Sequence, residues 1–138
     1  MYRVERRVGQ LVEIAIWSPV SLEEAIAWGR DHDAVIDATR GRYVCFVDLR
    51  GARVFPPDVV DAYVATMKDE PRLLRTGTLL PLSAVVALQI NRMIREAAHP
   101  ERRAFSEAAP LASWLGERLE PLERARLDAL LRAPPPQA

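Results

Sequence analysis

The amino-acid sequence predicts an α/β domain with a mainly parallel central sheet of about five strands, an N-terminal β-hairpin and helices packed on the sheet. Apolar and polar residues alternate over residues 2–17, which is typical of two short strands. Strand-like runs then alternate with segments of helical periodicity, as in folds with parallel sheets. The run from Tyr43 to Leu49 is apolar on both faces until Asp48, as in a central strand covered on either side.

The length and composition predict one self-contained domain. The chain has 138 residues, of which 49% are hydrophobic and 28% charged, so it can bury a core without covalent staples. We assign residues 1–133 to this domain and predict that the proline-rich tail, residues 134–138, is disordered.

The first elements follow from turn and capping signals. Gly9-Gln10 separates the two strands of the predicted hairpin. Ser21, with Glu24 three residues later, has the spacing of a capping box and starts the first helix. The predicted buried stripe of that helix contains Leu22, Ala25, Ile26 and Gly29. Asp33 interrupts this stripe, so the helix is expected to end or bend near residues 31–33.

The later elements are bounded mainly by prolines and serines. Pro56-Pro57 opens a second helix, and a strand from Leu73 to Leu80 lies between Pro71 and Pro81. Gly77 either weakens that strand or permits a close approach of another element. Ser83 caps a third helix, residues 102–105 form an edge strand, Ser106 opens a fourth helix and Pro121 a fifth. The residues expected to face the core are Val60, Tyr63, Ile90, Met93 and Trp114.

Several function classes lack their usual signals. Nineteen basic residues balance nineteen acidic ones, so we expect neither nucleic-acid binding nor stable membrane association. No phosphate-binding glycine loop and no local metal-ligand pair near His32 or His99 occurs, so no cofactor, no metal and no catalytic residues are predicted. The single Cys45 lies in an apolar run, which indicates a buried thiol and fits a reducing cytoplasm. Lys68 is the only lysine, which we interpret as codon bias in a GC-rich bacterial genome.

The element order and three segments together resemble the STAS superfamily, and more closely its SpoIIAA-like branch. The segments are the strand Val44 to Leu49 followed by Arg50-Gly51, the proline-led second helix, and residues 103–106 leading to residues 112–115. The resemblance covers nearly the whole chain and implies a regulatory domain, without enzyme activity, that binds another protein in signalling. A homodimer is an open alternative for the partner.

The resemblance also implies a switch that this sequence does not carry. In antagonist members of the superfamily, the helix after this strand begins with a motif whose Ser or Thr is phosphorylated. Here Phe55-Pro56-Pro57-Asp58 occupies that position, and residues 51–58 contain no Ser, Thr or Tyr. We therefore expect no phosphorylation switch at this point.

The predicted partner-binding residues are Arg50, Arg53, Phe55 and Asp58, because the resemblance places recognition at the strand exit and the entrance of the second helix. Arginine and aromatic residues are also enriched at interface centres. The alternative is that Phe55 caps the core and both arginines are solvated. Asp48, at the end of the same strand, is expected to accept hydrogen bonds from the following turn.

A second hypothesis for the function is a carrier. The SpoIIAA-like domains are related to lipid-pocket CRAL-TRIO domains, and this relation implies a lipid or small apolar ligand in a pocket between helices and sheet. A retained lipid and a retained partner protein would have different masses in native mass spectrometry.

Overall fold

The computed structural model describes residues 1–68 and 70–136 and has the α/β architecture that the sequence predicts. Its ten elements are β1 Tyr2–Val8, β2 Leu11–Ile16, α1 Leu22–Thr39, β3 Tyr43–Asp48, α2 Pro57–Met67, β4 Leu73–Leu79, α3 Ala84–Ala97, β5 Arg102–Phe105, α4 Ala108–Gly116 and α5 Pro121–Arg132. Within the described ranges, no helix combines the length and the apolar character needed to cross a membrane.

The strand order in the sheet is the same as the order in the chain. The sheet runs β1-β2-β3-β4-β5; β1 and β2 are antiparallel, whereas each following pair is parallel. Three successive right-handed crossovers that step in one direction place their helices on one face of the sheet. The helices α1, α2 and α3 therefore share a face, and α4 and α5 fold back onto the other.

Two hydrophobic cores lie on the two faces of this sheet. The strand β3 contributes to both, since Tyr43 and Cys45 belong to the core under α1–α3 while Val44 and Phe46 belong to the core under α4 and α5. These four side chains are buried, which confirms the prediction of a central strand. Gly77 of β4 allows α4 to approach closely, because a Cβ atom there would lie 3.2 Å from Cγ of Leu111.

The helix α1 departs from its predicted end. Ser21 caps it as predicted, its hydroxyl accepting from the amide of Glu24 at 3.1 Å, but the helix continues to Thr39 without a break. The buried stripe runs through Ala25, Trp28, Gly29, His32, Ile36 and Thr39. The predicted stripe was offset, since Leu22 and Ile26 are exposed, and Asp33 lies beside the true stripe and does not interrupt it.

The fourth helix starts later than predicted. It begins at Ala108, two residues after Ser106, and Trp114 packs against the core with its side chain partly buried. The disordered tail stays a prediction. Pro134 and Pro136 line a small cavity beside the end of β3, whereas residues 137 and 138 lie outside the described residues. The side chain of Gln89 on α3 bonds to the loop before α2.

Polar contacts fasten α5 to the β-hairpin. The carboxylate of Glu123 accepts from the amide of Gln10 at 2.6 Å and from the amide of Glu120 at 2.7 Å. One turn along, the guanidinium of Arg126 donates twice, at 2.8 Å, to the carboxylate of Glu13 on β2. Glu13 is only 2% exposed, so Arg126 neutralises a buried charge.

Candidate functional site

The exit of β3 forms an ion-paired turn. Arg50 donates from Nε to Oδ1 of Asp48 at 3.0 Å and from one terminal nitrogen to Oδ2 at 2.7 Å. The backbone amide of Arg50 also donates to Oδ1 at 3.1 Å, which confirms the predicted turn-stabilising role of Asp48. This bonded carboxylate raises the pKa of the Arg50 guanidinium. Arg50 is therefore held within the fold, and its remaining terminal nitrogen donates to the carbonyl of Ala133.

The other three predicted partner-binding residues separate into two environments. Arg53 and Asp58 are exposed on the loop and at the start of α2. Phe55 is only 2% exposed and packs edge-to-face against Tyr63, with ring centroids 5.3 Å apart. Of the two alternatives for Phe55, the structure supports the one in which its ring caps the core behind the loop. Partner binding by the four residues stays a prediction.

An exposed apolar stripe, which we call the α3 stripe, lies beside this loop. It consists of Leu82, Val85 and Leu88, which are 104%, 67% and 70% exposed. Their spacing of three residues places them on one side of the helix entrance. The side chain of Gln89 joins α3 to the loop, since it accepts from the amide of Phe55 at 2.9 Å and donates to its carbonyl at 2.8 Å.

A cavity of about 60 Å³ lies between the sheet and the layer formed by α1, α2 and α3. Its wall is mainly apolar and includes Phe55, so the ring predicted to face a partner lines this space instead. Trp28 and Tyr63 meet edge-to-face in the wall, with ring centroids 5.1 Å apart. A cavity of this volume is smaller than the roughly 150 Å³ site that holds benzene in an engineered core.

Polar atoms without partners accompany this apolar wall. Trp28 Nε1, the hydroxyl of Tyr63 and Nε of Arg102 are buried and have no hydrogen-bond partner within the described part of the chain. All three residues line the cavity. Buried polar groups are paired in the great majority of cases, so three such atoms around one cavity indicate a place where an acceptor can bind.

Burial alters the proton affinities of the groups around the cavity. It raises the pKa of the Cys45 thiol to about 12 and raises the pKa values of the Tyr43 and Tyr63 hydroxyls well above their usual value. Burial lowers the pKa of His32, although a 3.1 Å contact with Asp33 opposes this shift. These thiol and hydroxyl groups are therefore protonated near neutral pH, and none of them is a nucleophile in that state.

The described residues hold no group of three or more His, Cys, Asp or Glu side chains placed to bind a metal ion. The chemistry that the arrangement offers is binding through donors, an apolar wall and an exposed apolar surface.

Comparison with known proteins identifies no family. No family model matches the chain, and no curated protein matches it. The likeness to the STAS superfamily stays a prediction.

The sequence predicts burial for several residues of the cavity wall, among them Tyr63, Ile90 and Met93, but not the contribution of Arg102. Arg102 was recognised only as the start of an edge strand, yet it points to the same face as Thr76, its neighbour in the register with β4. The available signal was the period of two along β5, which places Arg102 and Arg103 on opposite faces of the sheet. That signal becomes informative only when the strand order is known.

Proposed function

We propose that the protein is a non-catalytic binding module that docks a partner protein at the carboxyl-terminal edge of its sheet. This is the kind of function that the resemblance to SpoIIAA-like STAS domains implies. The α3 stripe carries the proposal, because three large apolar side chains in sequence proximity are left in water. Contiguous exposed apolar patches mark interaction sites more often than isolated apolar residues do.

The surroundings of the stripe indicate the chemistry of the partner. The chain has no charged residue from position 76 to position 91, so the stripe lies in a wholly uncharged segment. Arg92, exposed on the next turn of α3, is ion-paired with Glu96 at 3.3 Å, and the loop before α2 and the start of that helix expose both Arg53 and Asp58. We infer a partner that presents an apolar, uncharged helix or loop to the stripe, since the surrounding charges are of both signs.

The proposed docking surface contains only some of the four residues that the sequence predicts. Arg53 and Asp58 contribute to its rim, whereas Arg50 is engaged with Asp48 and Phe55 supports the loop from inside. Val54, which is exposed between Arg53 and Phe55, extends the apolar surface. The interface centre is therefore expected on α3, with the loop at its edge.

A double variant, Val85→Glu with Leu88→Glu, tests this proposal against a matched control, Leu122→Glu. Leu122 is equally apolar and exposed but lies on α5. Each protein is used as bait in the cells that make it, circular dichroism verifies folding, and quantitative mass spectrometry compares the captured proteins. A protein captured by the wild type and the control but lost with the double variant supports docking at the stripe.

Two outcomes would contradict the proposal. If the control and the double variant capture the same proteins as the wild type, the stripe is not a docking surface. If analytical ultracentrifugation shows a wild-type dimer that only the double variant dissociates, the occupant of the stripe is a second copy of the chain.

The enclosed cavity favours binding of a small molecule as a second candidate function. The volume of about 60 Å³ argues against a lipid chain in the folded state. Native mass spectrometry of freshly purified protein tests this function, because a bound small molecule adds a defined mass that denaturation removes.

A further inference from the structure

The cavity under α1–α3 is bordered by the guanidinium of Arg102, for which the described residues supply no ion-pair partner, although the Glu70 carboxylate is close enough to oppose the lowering of its pKa. The guanidinium of Arg102 donates to the carbonyl of Met67 at 2.9 Å and makes a longer contact, 3.5 Å, with the hydroxyl of Thr76. Within residues 1–68 and 70–136, no carboxylate lies within ion-pair distance of it. Burial lowers the pKa of this guanidinium, as expected for a charge removed from water.

Two neutral donors complete the polar part of the wall. Trp28 and Tyr63 are 4% and 3% exposed, and neither Nε1 of the indole nor the phenol oxygen has a partner in the described structure. With Nε of Arg102, one cationic and two neutral donor groups therefore border a space whose other walls are mainly apolar. Of these donors only the Arg102 guanidinium carries a charge, so it is the group that would hold an anion.

The volume limits the size of that anion. About 60 Å³ is well below the roughly 150 Å³ that accommodates benzene, so only a few non-hydrogen atoms fit. We propose that the cavity binds a short-chain monocarboxylate of the size of acetate or propionate, with the carboxylate accepting from Arg102 and the alkyl end in the apolar part. This inference rests on the small-molecule function and is independent of protein docking.

The size of the ligand also limits its affinity. The best ligand efficiency known for very small ligands gives a dissociation constant no tighter than about 1–10 μM for five non-hydrogen atoms. Binding is therefore expected between this limit and about 1 mM, which suits titration by nuclear magnetic resonance.

The test is a titration of the full chain with acetate, propionate, hexanoate and the neutral isostere propionamide, followed by the indole N–H signals. The chain has three tryptophans, so the Trp28 signal can be compared with two internal references. Acetate or propionate should shift the Trp28 signal in a saturable way. Hexanoate, which is too long, and propionamide, which has no charge, should bind at least about tenfold more weakly.

Arg102→Met and Arg103→Met provide matched variants on the same strand. Arg103 lies on the opposite face, where its guanidinium is 4.9 Å from the centre of the Trp114 ring. Propionate affinity should fall at least about tenfold in Arg102→Met and stay unchanged in Arg103→Met. The ligand series in the wild type keeps the proposal testable if the Arg102 variant does not fold.

The possible failures are distinguishable. If propionamide binds as well as propionate, the cavity holds small molecules but the carboxylate assignment is wrong. If none of the four compounds shifts the Trp28 signal, the monocarboxylate inference fails, whereas native mass spectrometry decides the small-molecule function separately. If hexanoate binds best, the cavity opens to a longer chain and the size argument fails.

Discussion

The substitution Phe55→Ala distinguishes a core residue from a partner-binding residue. Phe55 is 2% exposed, packs against Tyr63 and lines the cavity. Removal of its ring therefore eliminates these packing contacts and enlarges the cavity. Phe→Ala changes in cores cost about 3–5 kcal/mol through lost burial and the remaining void. Domains of this kind have total stabilities of about 5–15 kcal/mol, so the variant should fold but be clearly weakened.

Equilibrium unfolding in urea measures this loss directly. Val54→Ala is the matched control, because Val54 is the preceding residue and its side chain is exposed; we expect a change within about 0.5 kcal/mol. A free energy of unfolding for Phe55→Ala within about 1 kcal/mol of the wild type would refute the core assignment. The ring would then be free to contact a partner, which is the other of the two alternatives predicted for Phe55.

Three further predictions concern ionisable and reactive groups. Arg126→Met should lower the free energy of unfolding by about 2–3 kcal/mol because it leaves the buried Glu13 carboxylate without its partner; the loss is smaller than for a fully buried pair since Arg126 is partly exposed. In urea unfolding, the added substitution Glu13→Leu should recover most of the lost free energy. No recovery in the double variant would contradict this explanation. The lowered pKa of His32 means that below about pH 6.5 the unfolded state binds more protons than the native state, so stability should fall from there with decreasing pH. His32→Gln should flatten this part of the pH profile, and an unchanged slope would exclude His32 as its source. The Cys45 thiol, buried and with a pKa of about 12, should react with a disulfide reagent only after unfolding; rapid reaction of the native protein would show that the strand is accessible.

The elements predicted correctly are those whose local signals agree with their burial. The apolar run of β3, the capping serine before α1 and the proline at the start of α2 each act within a few residues, so they are visible without the tertiary structure. The end of α1 was predicted wrongly because Asp33 was read as part of the buried stripe. Only the contact of α1 with the sheet shows that the stripe runs through Trp28, His32 and Ile36.

The candidate sites were less predictable because they combine residues that are distant in the chain. The cavity joins Trp28 of α1, Tyr63 of α2 and Arg102 of β5, and nothing in their spacing relates them. The α3 stripe was hidden for a different reason. Helical periodicity correctly places Ile90 and Met93 on the buried side of α3, but it does not tell whether another element covers Val85 and Leu88 on the other side.

The sequence by itself determined the class and order of the elements, because hydrophobic period, capping and proline placement are local properties of the chain. Only the tertiary structure decided that the loop before α2 turns Phe55 inward, since the aromatic contact with Tyr63 and the Gln89 bonds come from elsewhere in the fold. The same holds for Arg102. The alternation along β5 and the register with Thr76 of β4 give it the face that carries the cavity, and this register exists only once β5 pairs with a strand that lies far from it in the chain.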